Sequence, residues 1–336
     1  MGKIAPRMTR NQPFDEQVCP GATVGDIDHR ALSNFVRAAY DEREFPLTAK
    51  TPAADILAHL HMLVDGTPTR AAVLLFAREP QRWMPGAEVH CMHFHGTKIK
   101  RPAPYSRVFQ GSLFDQYTEA VHGALSLIDC SVGDRTFSIQ APTTYEIPPE
   151  AIREAVFNAI VHRDYASPDA TRVSVFANRV EVWNPGKLLS PLTAQQLRRP
   201  HRSVLRNARV YEALSRVRYV EECGTGTQMM IRQCDEHPIA KPSFAQRAGG
   251  FTVTLWRKWL TERVLIGLGL SYRQRTAVLH ARINHRITNW EYQQYFPVSK
   301  QTATRELEQM RALGVLRQVE STDGDTHYVP VAKRPI

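Results

Sequence analysis

Three polar residues at four-residue intervals are the first candidates for chemistry. Glu154, Asn158 and His162 share one face of a predicted helix, 150–165, whose other positions are largely Ala, Val, Phe and Ile. A carboxylate and an amide so placed can together hold a hydrated Mg²⁺ and position an attacking water. The same spacing is common on solvated helix faces, so it is only weak evidence for a site when taken alone.

Two further segments follow this helix and could approach a ligand closely. Asn184, Pro185 and Gly186 form a turn at the end of a predicted strand. A glycine-rich turn then leads into a helix, and its residues are Gly224, Thr225, Gly226 and Thr227. Backbone N–H groups at a helix N-terminus can cradle phosphate oxygens. A lone GxG is also an ordinary tight turn, but the order of these segments within about seventy residues favours a nucleotide site.

Charged residues beside these segments could complete a phosphate site. Arg163 could bind a phosphate through two hydrogen bonds, and His162 could line the pocket. The alternative is that His162 packs within the domain while Arg163 pairs with Asp164. Lys187 is a further candidate for phosphate contact, although a solvated loop lysine is commoner.

The apolar patterns predict the elements that would hold these residues. Helices are expected over 28–39, 53–65 and late in 108–129, and strands over 70–77 and 87–95. The proline-containing stretch 141–150 marks a boundary, with Pro149 in the first turn of the next helix. The predicted fold class is α/β (α+β). The predicted domains are an N-terminal α/β region with an extended arm (1–140), a nucleotide-binding domain (141–258) and a C-terminal domain (259–336).

The C-terminal domain has the element order of a winged helix-turn-helix. Helices are predicted over 271–282, 288–296 and 299–313, followed by a hairpin. In the third helix Ala303, Leu307 and Met310 form the core stripe. The opposite side carries the candidate DNA-binding residues Ser299, Lys300, Gln301, Thr304 and Arg305. Some winged helices bind proteins instead, and the acidic hairpin tip does not suit a phosphate-contacting wing.

Composition limits the classes of function. The 336 residues include 43 Lys and Arg against 33 Asp and Glu, a net charge of +10 that favours a polyanionic partner. Residues 257–336 hold 13 of the basic residues and only 7 of the acidic ones, so the last eighty residues carry +6 of the net +10. Neither a membrane-spanning run nor a signal peptide is recognisable. The simplest expectation is a cytoplasmic protein.

These motifs together resemble a known ATP-binding domain. The stretches EAVFNAIVHRDY, RVEVWNPGKL, SVLRNARVYEAL and YVEECGTGTQMM look like the RecG-helicase-related C-terminal family, a member of the GHKL ATPase group. The resemblance implies a GHKL-type α/β sandwich that binds ATP and Mg²⁺, with Glu154 as the water-activating base and Asn158 as the Mg²⁺ ligand. It also implies that 184–186 and 224–227 are the adenine-side and phosphate-side loops. GHKL relatives commonly pair, so a homodimer is expected.

The chain departs from the family pattern in two places. Asn184 stands where the wider group has an aspartate that binds the adenine amino group, and an amide oxygen can also accept that hydrogen bond. Many family members begin with a Schlafen/AlbA-like domain, and this chain is expected to lack most of it. The chain also has no Walker A loop, so a helicase motor is not expected.

Two functional hypotheses follow from the sequence. In the first, the protein is a transcriptional regulator in which ATP binding closes a lid (188–203) and repositions the winged helix, with weak hydrolysis as a reset. In the second, it is a degenerate scaffold that binds DNA or protein without ATP turnover, as Asn184 would suggest. A third class, an effector enzyme, is disfavoured by the expected lack of the N-terminal domain.

Overall fold

The computed structural model describes residues 12–132, 143–217, 225–237, 239–320 and 326–331. Its α-helices are α1 (His29–Arg43), α2 (Ala53–His59), α3 (Arg70–Phe76), α4 (Leu113–Ser126), α5 (Pro149–Val161), α6 (Ala208–Arg216), α7 (Gly226–Glu236), α8 (Glu262–Gly267), α9 (Tyr272–Asn284), α10 (Asn289–Tyr295) and α11 (Lys300–Ala312). Its strands are β1 (Leu63–Val64), β2 (Thr67–Pro68), β3 (Val89–His93), β4 (Tyr105–Phe109), β5 (Cys130–Val132), β6 (Thr143–Tyr145), β7 (Thr171–Val175), β8 (Arg179–Pro185), β9 (Ser243–Arg247), β10 (Gly250–Trp256), β11 (Ile287–Thr288), β12 (Leu316–Glu320) and β13 (Thr326–Pro330).

A six-stranded mixed sheet is the largest element of the fold. Its strand order is β4-β3-β7-β8-β10-β9, and every neighbouring pair is antiparallel except β3 with β7. Strands β3 and β4 come from the predicted N-terminal region, and the other four come from the predicted nucleotide-binding region. One hydrophobic core reaches from Cys19 to Leu255. The sheet and its core therefore draw on residues from both sides of position 140.

Helix α5 is central to this core and presents the candidate site. It begins with Pro149 at its first position, as the sequence predicts, since proline lacks the N–H that a helix start leaves unpaired. Nine of its 13 residues are buried. It packs against α4 and α7 and against strands β7, β8 and β10. Because α5 is buried on most sides, the polar groups that remain on it must be satisfied by specific partners or face a cavity.

One predicted strand is wrong. Residues 70–77 form helix α3 rather than a strand, with Thr69 accepting a hydrogen bond from the Ala72 N–H as the N-cap. Six consecutive residues of this helix, from Ala71 to Phe76, are buried. A helix buried on all sides has no polar face, so its apolar run cannot be distinguished from a buried strand by periodicity.

The C-terminal region forms a separate hydrophobic core. It contains helices α8 to α11 and a three-stranded antiparallel sheet of order β11-β13-β12. The three predicted helices are confirmed as α9, α10 and α11. Helix α10 begins with a capping box, in which the Thr288 hydroxyl accepts from the Glu291 N–H. The predicted hairpin tip, 321–325, lies outside the described residues. Assignment of this unit as a winged helix stays a prediction.

In the part of the chain that the structure describes, no helix combines the length and the apolar character needed to cross a bilayer.

Candidate functional site

A pocket of about 950 Å³, counting its open mouth, lies beside α5. Its walls are α5, the end of β8, the segment 187–206, the N-terminus of α7 and strands β9 and β10. The pocket brings together eight of the residues predicted from sequence to bind nucleotide. They are Glu154, Asn158, His162, Asn184, Gly186, Lys187, Gly226 and Thr227.

The acid and the amide on α5 form a pair at the pocket wall. Asn158 Nδ2 donates a 2.7 Å hydrogen bond to Glu154 Oε1, as their four-residue spacing allows. Only 5% of Glu154 is exposed, and burial raises the pKa of its carboxyl group against the opposing effect of this hydrogen bond. A carboxyl group with a raised pKa in a cleft is suited to accepting a proton from a bound water.

The N-terminus of α7 lies directly against Glu154. Gly226 is the first residue of α7, and a Cβ placed on it would overlap the Glu154 carboxylate. Only glycine therefore allows this close approach of the helix start to α5. The hydroxyl of the neighbouring Thr227 is buried and has no hydrogen-bond partner within the described ranges. The helix start thus offers backbone N–H groups and one hydroxyl to a ligand.

The last two residues of β8, Asn184 and Pro185, form the opposite wall together with Gly186 after the strand. Asn184 is buried, and its Nδ2 donates a 3.2 Å hydrogen bond to the Pro185 carbonyl. This bond orients the side chain and leaves Oδ1 as the acceptor of the amide. Gly186 follows with a φ of +105°, a backbone conformation that favours glycine, and it lies against Asp164. The turn can therefore approach a ligand without a side chain in the way.

The segment 187–206 covers the pocket and is tied to the body of the domain. Arg206 donates to the His162 carbonyl at 3.1 Å and to the Lys187 carbonyl at 2.7 Å. Gln228 of α7 donates to the Leu197 carbonyl at 3.0 Å. Burial and the Arg206 guanidinium lower the pKa of His162 to about 4, so this imidazole is neutral at pH 7.

Two of the predicted binding residues that the structure describes do not line the pocket. Arg163 is 2% exposed, and its guanidinium donates to the Asp169 carbonyl at 2.7 Å and lies over the Tyr165 ring. These contacts make it a structural residue, which corrects its predicted role in phosphate binding. Thr225 is exposed at the N-cap of α7 and does not line the pocket. Gly224 lies outside the described residues.

Sequence reasoning missed the apolar wall of the pocket. Phe244 of β9 and Phe251 of β10 lie with their ring centroids 6.5 Å apart and their planes 9° apart, and both line the pocket. Leu189, Leu192 and Leu197 add aliphatic surface from the covering segment. The signal for β9 was available, since its residues are followed by a Gly249-Gly250 turn and a second strand.

Comparison with known proteins supports the fold of this region. Residues 169–255 match the family described as "Putative ATP-dependent DNA helicase recG C-terminal". The matched range contains the Asn184–Gly186 turn and the start of α7, whereas Glu154 and Asn158 precede it. No curated protein matches the chain.

A solved structure shares the overall fold of the chain. The DIP2311 protein from Corynebacterium diphtheriae is 19% identical, with a TM-score of 0.56 over 96% of this chain. The chain spans 65% of the length of that structure. At this identity the likeness establishes the fold alone. The family match and the mixed α and β architecture together indicate an ATPase-like domain, which suggests nucleotide binding.

The candidate DNA-binding residues all lie at the start of α11. Ser299 is the N-cap, and its hydroxyl accepts from the Thr302 N–H at 3.2 Å. The side chain of Thr304 accepts a 2.8 Å hydrogen bond from Asn289 of α10. The predicted core residues of this helix are buried, and the candidates are exposed; those exposed candidates are Ser299, Lys300, Gln301, Thr304 and Arg305.

Proposed function

We propose that the pocket beside α5 binds ATP with Mg²⁺. The observation that carries this proposal is the meeting of three polar elements at one cavity. These elements are the Glu154 and Asn158 face of α5, the Asn184–Gly186 turn and the N-terminus of α7. The stacked Phe244 and Phe251 rings beside them supply apolar surface that suits a nucleobase.

The donor set of the pocket fits Mg²⁺ bound together with phosphates. Asn158 uses Nδ2 to bind Glu154, which leaves its Oδ1 as a hard oxygen ligand. Mg²⁺ in nucleotide sites commonly takes one or two protein groups and completes its octahedron with waters and phosphate oxygens. Asn158 would hold the ion, and the ion would neutralise phosphate charge when bound. The Gly226 and Thr227 N–H groups would face the phosphates.

Glu154 is the group suited to promote hydrolysis. Its carboxyl group is buried, lies against the helix start that would hold the phosphates, and is oriented by Asn158. It would accept a proton from an attacking water. Nucleotide binding and turnover are therefore expected to depend on different residues, with slow turnover depending on Glu154.

Titration calorimetry with ATP, in the presence and absence of Mg²⁺, tests the binding proposal. Asn158→Ala should abolish the dependence of affinity on Mg²⁺, whereas Glu154→Gln should retain ATP binding and lower the rate of phosphate release by about 10²-fold or more. A matched control is Glu150→Gln, an exposed carboxylate on the same helix. Lack of binding at millimolar ATP would instead support a scaffold without nucleotide, the function that Asn184 favours.

We further propose that the C-terminal region binds DNA and that nucleotide binding controls this activity, as in a transcriptional regulator. The support is the exposed set of polar and basic side chains at the start of α11, together with the basic excess of this region. Such control requires that ATP bind the DNA-competent and DNA-incompetent forms with different affinity.

Fluorescence anisotropy with a labelled duplex of mixed sequence tests DNA binding. The double variant Lys300→Ala with Arg305→Ala should weaken binding at least about tenfold at low salt. The slope of log affinity against log salt concentration should also become shallower, by the amount expected for the loss of about two phosphate contacts. Arg37→Ala with Arg43→Ala, a pair of exposed charges on α1, is the matched control. Equal loss in both double variants would show that α11 is not the DNA-binding element.

A further inference from the structure

Asp15 is a fully buried acidic residue that lies outside the pocket. It belongs to a short turn of 3₁₀ helix, Phe14–Glu16, and 0% of it is exposed. Its Oδ1 atom has no hydrogen-bond partner among the described residues. Burying a carboxyl group is costly, so its other oxygen is expected to have specific partners.

The other oxygen of Asp15 caps a helix that begins far along the chain. Asp15 Oδ2 accepts hydrogen bonds from the Arg209 N–H at 2.8 Å and from the Val210 N–H at 3.3 Å. These are the second and third residues of α6, whose N–H groups normally bind the side chain of an N-cap residue. Asp15 therefore does for α6 what a capping residue usually does for its own helix.

The residue at the N-cap position of α6 is engaged elsewhere. Asn207 makes no capping hydrogen bond with its side chain. Its Nδ2 instead donates to the Val161 carbonyl at 2.7 Å and to the Arg163 carbonyl at 2.8 Å, at the end of α5 and just after it. Asn207 thus fixes the start of α6 against α5, and the capping of α6 is left to Asp15.

The start of α6 also borders the pocket. Arg206 directly precedes Asn207 and lines the pocket, as does Tyr211 in α6. Arg206 is the last residue of the covering segment 187–206, and its guanidinium donates to the carbonyl of Lys187, the first residue of that segment, at 2.7 Å. Both ends of the covering segment are therefore held at the place where α6 begins.

The turn that carries Asp15 is anchored to the start of α3. The Arg70 N–H donates to the Gln17 carbonyl at 2.8 Å, and the Arg70 guanidinium donates to Gln17 Oε1 at 2.8 Å. The same guanidinium lies over the Phe14 ring, 4.1 Å from its centroid. The turn is therefore held by α3, and Asp15 connects it to α6.

We infer that Asp15 is a positioning residue for the nucleotide pocket. By capping α6 it holds Arg206 and the two ends of the covering segment in place, although its own side chain does not line the pocket. Its effect on ATP rests on the proposed function of the pocket. The link from Asp15 to the covering segment belongs to the chain itself, so it can be measured without nucleotide.

The charge on Asp15 is expected to weaken this link. Burial raises the pKa of Asp15 to about 6, against the opposing effect of the hydrogen bonds from α6. The charged or titratable groups around the turn are Glu16, Arg70 of α3, Arg209 of α6 and the buried Tyr165. Separation of α6 from the turn would expose Asp15 to water and return its pKa towards 3.8. The stability that protonation gives to the capped form is therefore fully present below about pH 3.8 and is lost progressively as pH rises to about 6.

Two substitutions separate the capping by Asp15 from its charge. Asp15→Asn keeps an oxygen that can accept both N–H groups and cannot ionise, whereas Asp15→Ala removes the acceptor. Ser271→Ala removes the N-cap of α9, in the separate C-terminal core, and is the matched control. The three variants are compared with the wild type by hydrogen exchange, without nucleotide.

Amide hydrogen exchange followed by mass spectrometry measures the link. At pH 7, residues 187–206 and the first turn of α6 should exchange at least about tenfold faster in Asp15→Ala than in Asp15→Asn, because two helix N–H groups lose their acceptor. Ser271→Ala should leave these residues at the wild-type rate. Equal exchange of 187–206 in Asp15→Ala and Asp15→Asn would overturn the inference, as would a similar increase in Ser271→Ala.

The pH profile gives a second test that does not need Asp15→Ala. From pH 4 to pH 7, the protection of 187–206 in the wild type, corrected for the intrinsic exchange rate, should fall at least about tenfold relative to Asp15→Asn, and mostly below pH 6. A side chain that only filled space would leave this ratio constant, so a constant ratio would contradict the inference.

Titration calorimetry with ATP and Mg²⁺ then relates the cap to the pocket. Asp15→Ala should raise the dissociation constant at least about fivefold, because part of the binding free energy must re-form the cover, while Asp15→Asn and Ser271→Ala should stay within about twofold of the wild type. Unchanged affinity in Asp15→Ala would overturn the role of Asp15 in positioning the pocket. If the wild type binds no ATP, the proposed function fails, and the exchange results still decide whether Asp15 holds the covering segment.

Discussion

Two buried glutamates, one in each hydrophobic core, differ in what surrounds them. Glu154 is 5% exposed and Glu306 is 7% exposed. Burial raises the pKa of Glu154, whose only hydrogen-bond donor described is the neutral amide of Asn158. Burial acts on Glu306 as well, but hydrogen bonds from Arg273 and Tyr292 outweigh it and lower the pKa of its carboxyl group. Two carboxyl groups of similar exposed fraction therefore have opposite pKa shifts, because Glu306 lies beside the partly exposed Arg273 guanidinium and Glu154 has no cationic neighbour among the described residues.

The difference separates a structural carboxylate from a candidate functional one. Glu306 of α11 binds Arg273 of α9 and Tyr292 of α10, so its charge is used to hold three helices together. Glu154 faces a pocket and lacks a cationic partner among the described residues, so its charge is uncompensated until a cation enters. Perturbed carboxyl groups of the second kind mark candidate functional sites.

The largest expected effect comes from removing the structural carboxylate. Glu306→Ala leaves the buried Tyr292 hydroxyl and the partly exposed Arg273 guanidinium without their acceptor, and should cost about 3 kcal/mol of unfolding free energy, because two hydrogen bonds to a charged and largely buried acceptor are lost. Urea unfolding followed by far-ultraviolet circular dichroism measures this. Glu150→Ala, which breaks an exposed pair with Arg153, should cost less than about 1 kcal/mol. Equal costs would show that Glu306 does not hold the helices together.

A second, smaller effect is expected where α7 meets Glu154. Gly226→Ala forces a methyl group against the Glu154 carboxylate, so either the helix start or the glutamate must move. Overpacking of this kind costs about 1–3 kcal/mol. ATP affinity measured by calorimetry should fall at least about tenfold, because the same displacement disturbs the phosphate-facing N–H groups. Gly25→Ala, where a Cβ meets only an ordinary contact with Thr23, is the control. Unchanged affinity would separate the helix start from the nucleotide site.

The sequence predicts the parts of the site that depend on local spacing. The Glu154–Asn158 pair follows from a four-residue interval on one helix, and the open turn at Gly186 follows from a glycine at a strand end. Helix α3 could not be predicted, because burial on all sides removes the polar face that marks a helix. The match of 169–255 to a family supports the resemblance seen in the motifs, though it leaves Glu154 and Asn158 outside its range.

The roles that could not be predicted from the sequence depend on contacts between segments that are separated along the chain. Arg163 has the residue type of a phosphate ligand, yet the Asp169 and Glu88 carbonyls accept its hydrogen bonds. Nothing in the local sequence shows that these carbonyls converge on it. The contrast between Glu154 and Glu306 is of the same kind, since Arg273 lies 33 residues before Glu306 along the chain. Partners determine the role of a buried charge, and they are set by tertiary packing.

The smallest expected effect is a change in stability with pH. It is also the most direct test of the difference between Glu154 and Glu306, because the prediction concerns only the sign of this change. The folded-state pKa of Glu154 lies above its ordinary value of 4.5, so the folded protein favours the protonated form, and the stability this provides is lost as pH rises through the folded pKa. The Glu154→Gln side chain cannot ionise, so the variant does not undergo this loss. Its stability relative to the wild type should therefore increase as pH rises from 4 to 8.

The folded-state pKa of Glu306 lies below 4.5, so ionisation of this residue favours folding. The stability it provides is present above pH 4.5 and is lost as pH falls through the folded pKa. Glu306→Gln should therefore lose stability relative to the wild type as pH rises to about 4.5, with little further change above that value. Urea unfolding of both variants and the wild type from about pH 3 to pH 8 gives the two difference curves. Slopes of opposite sign are expected, and slopes of the same sign would mean that the two carboxylates do not differ in the way their partners indicate.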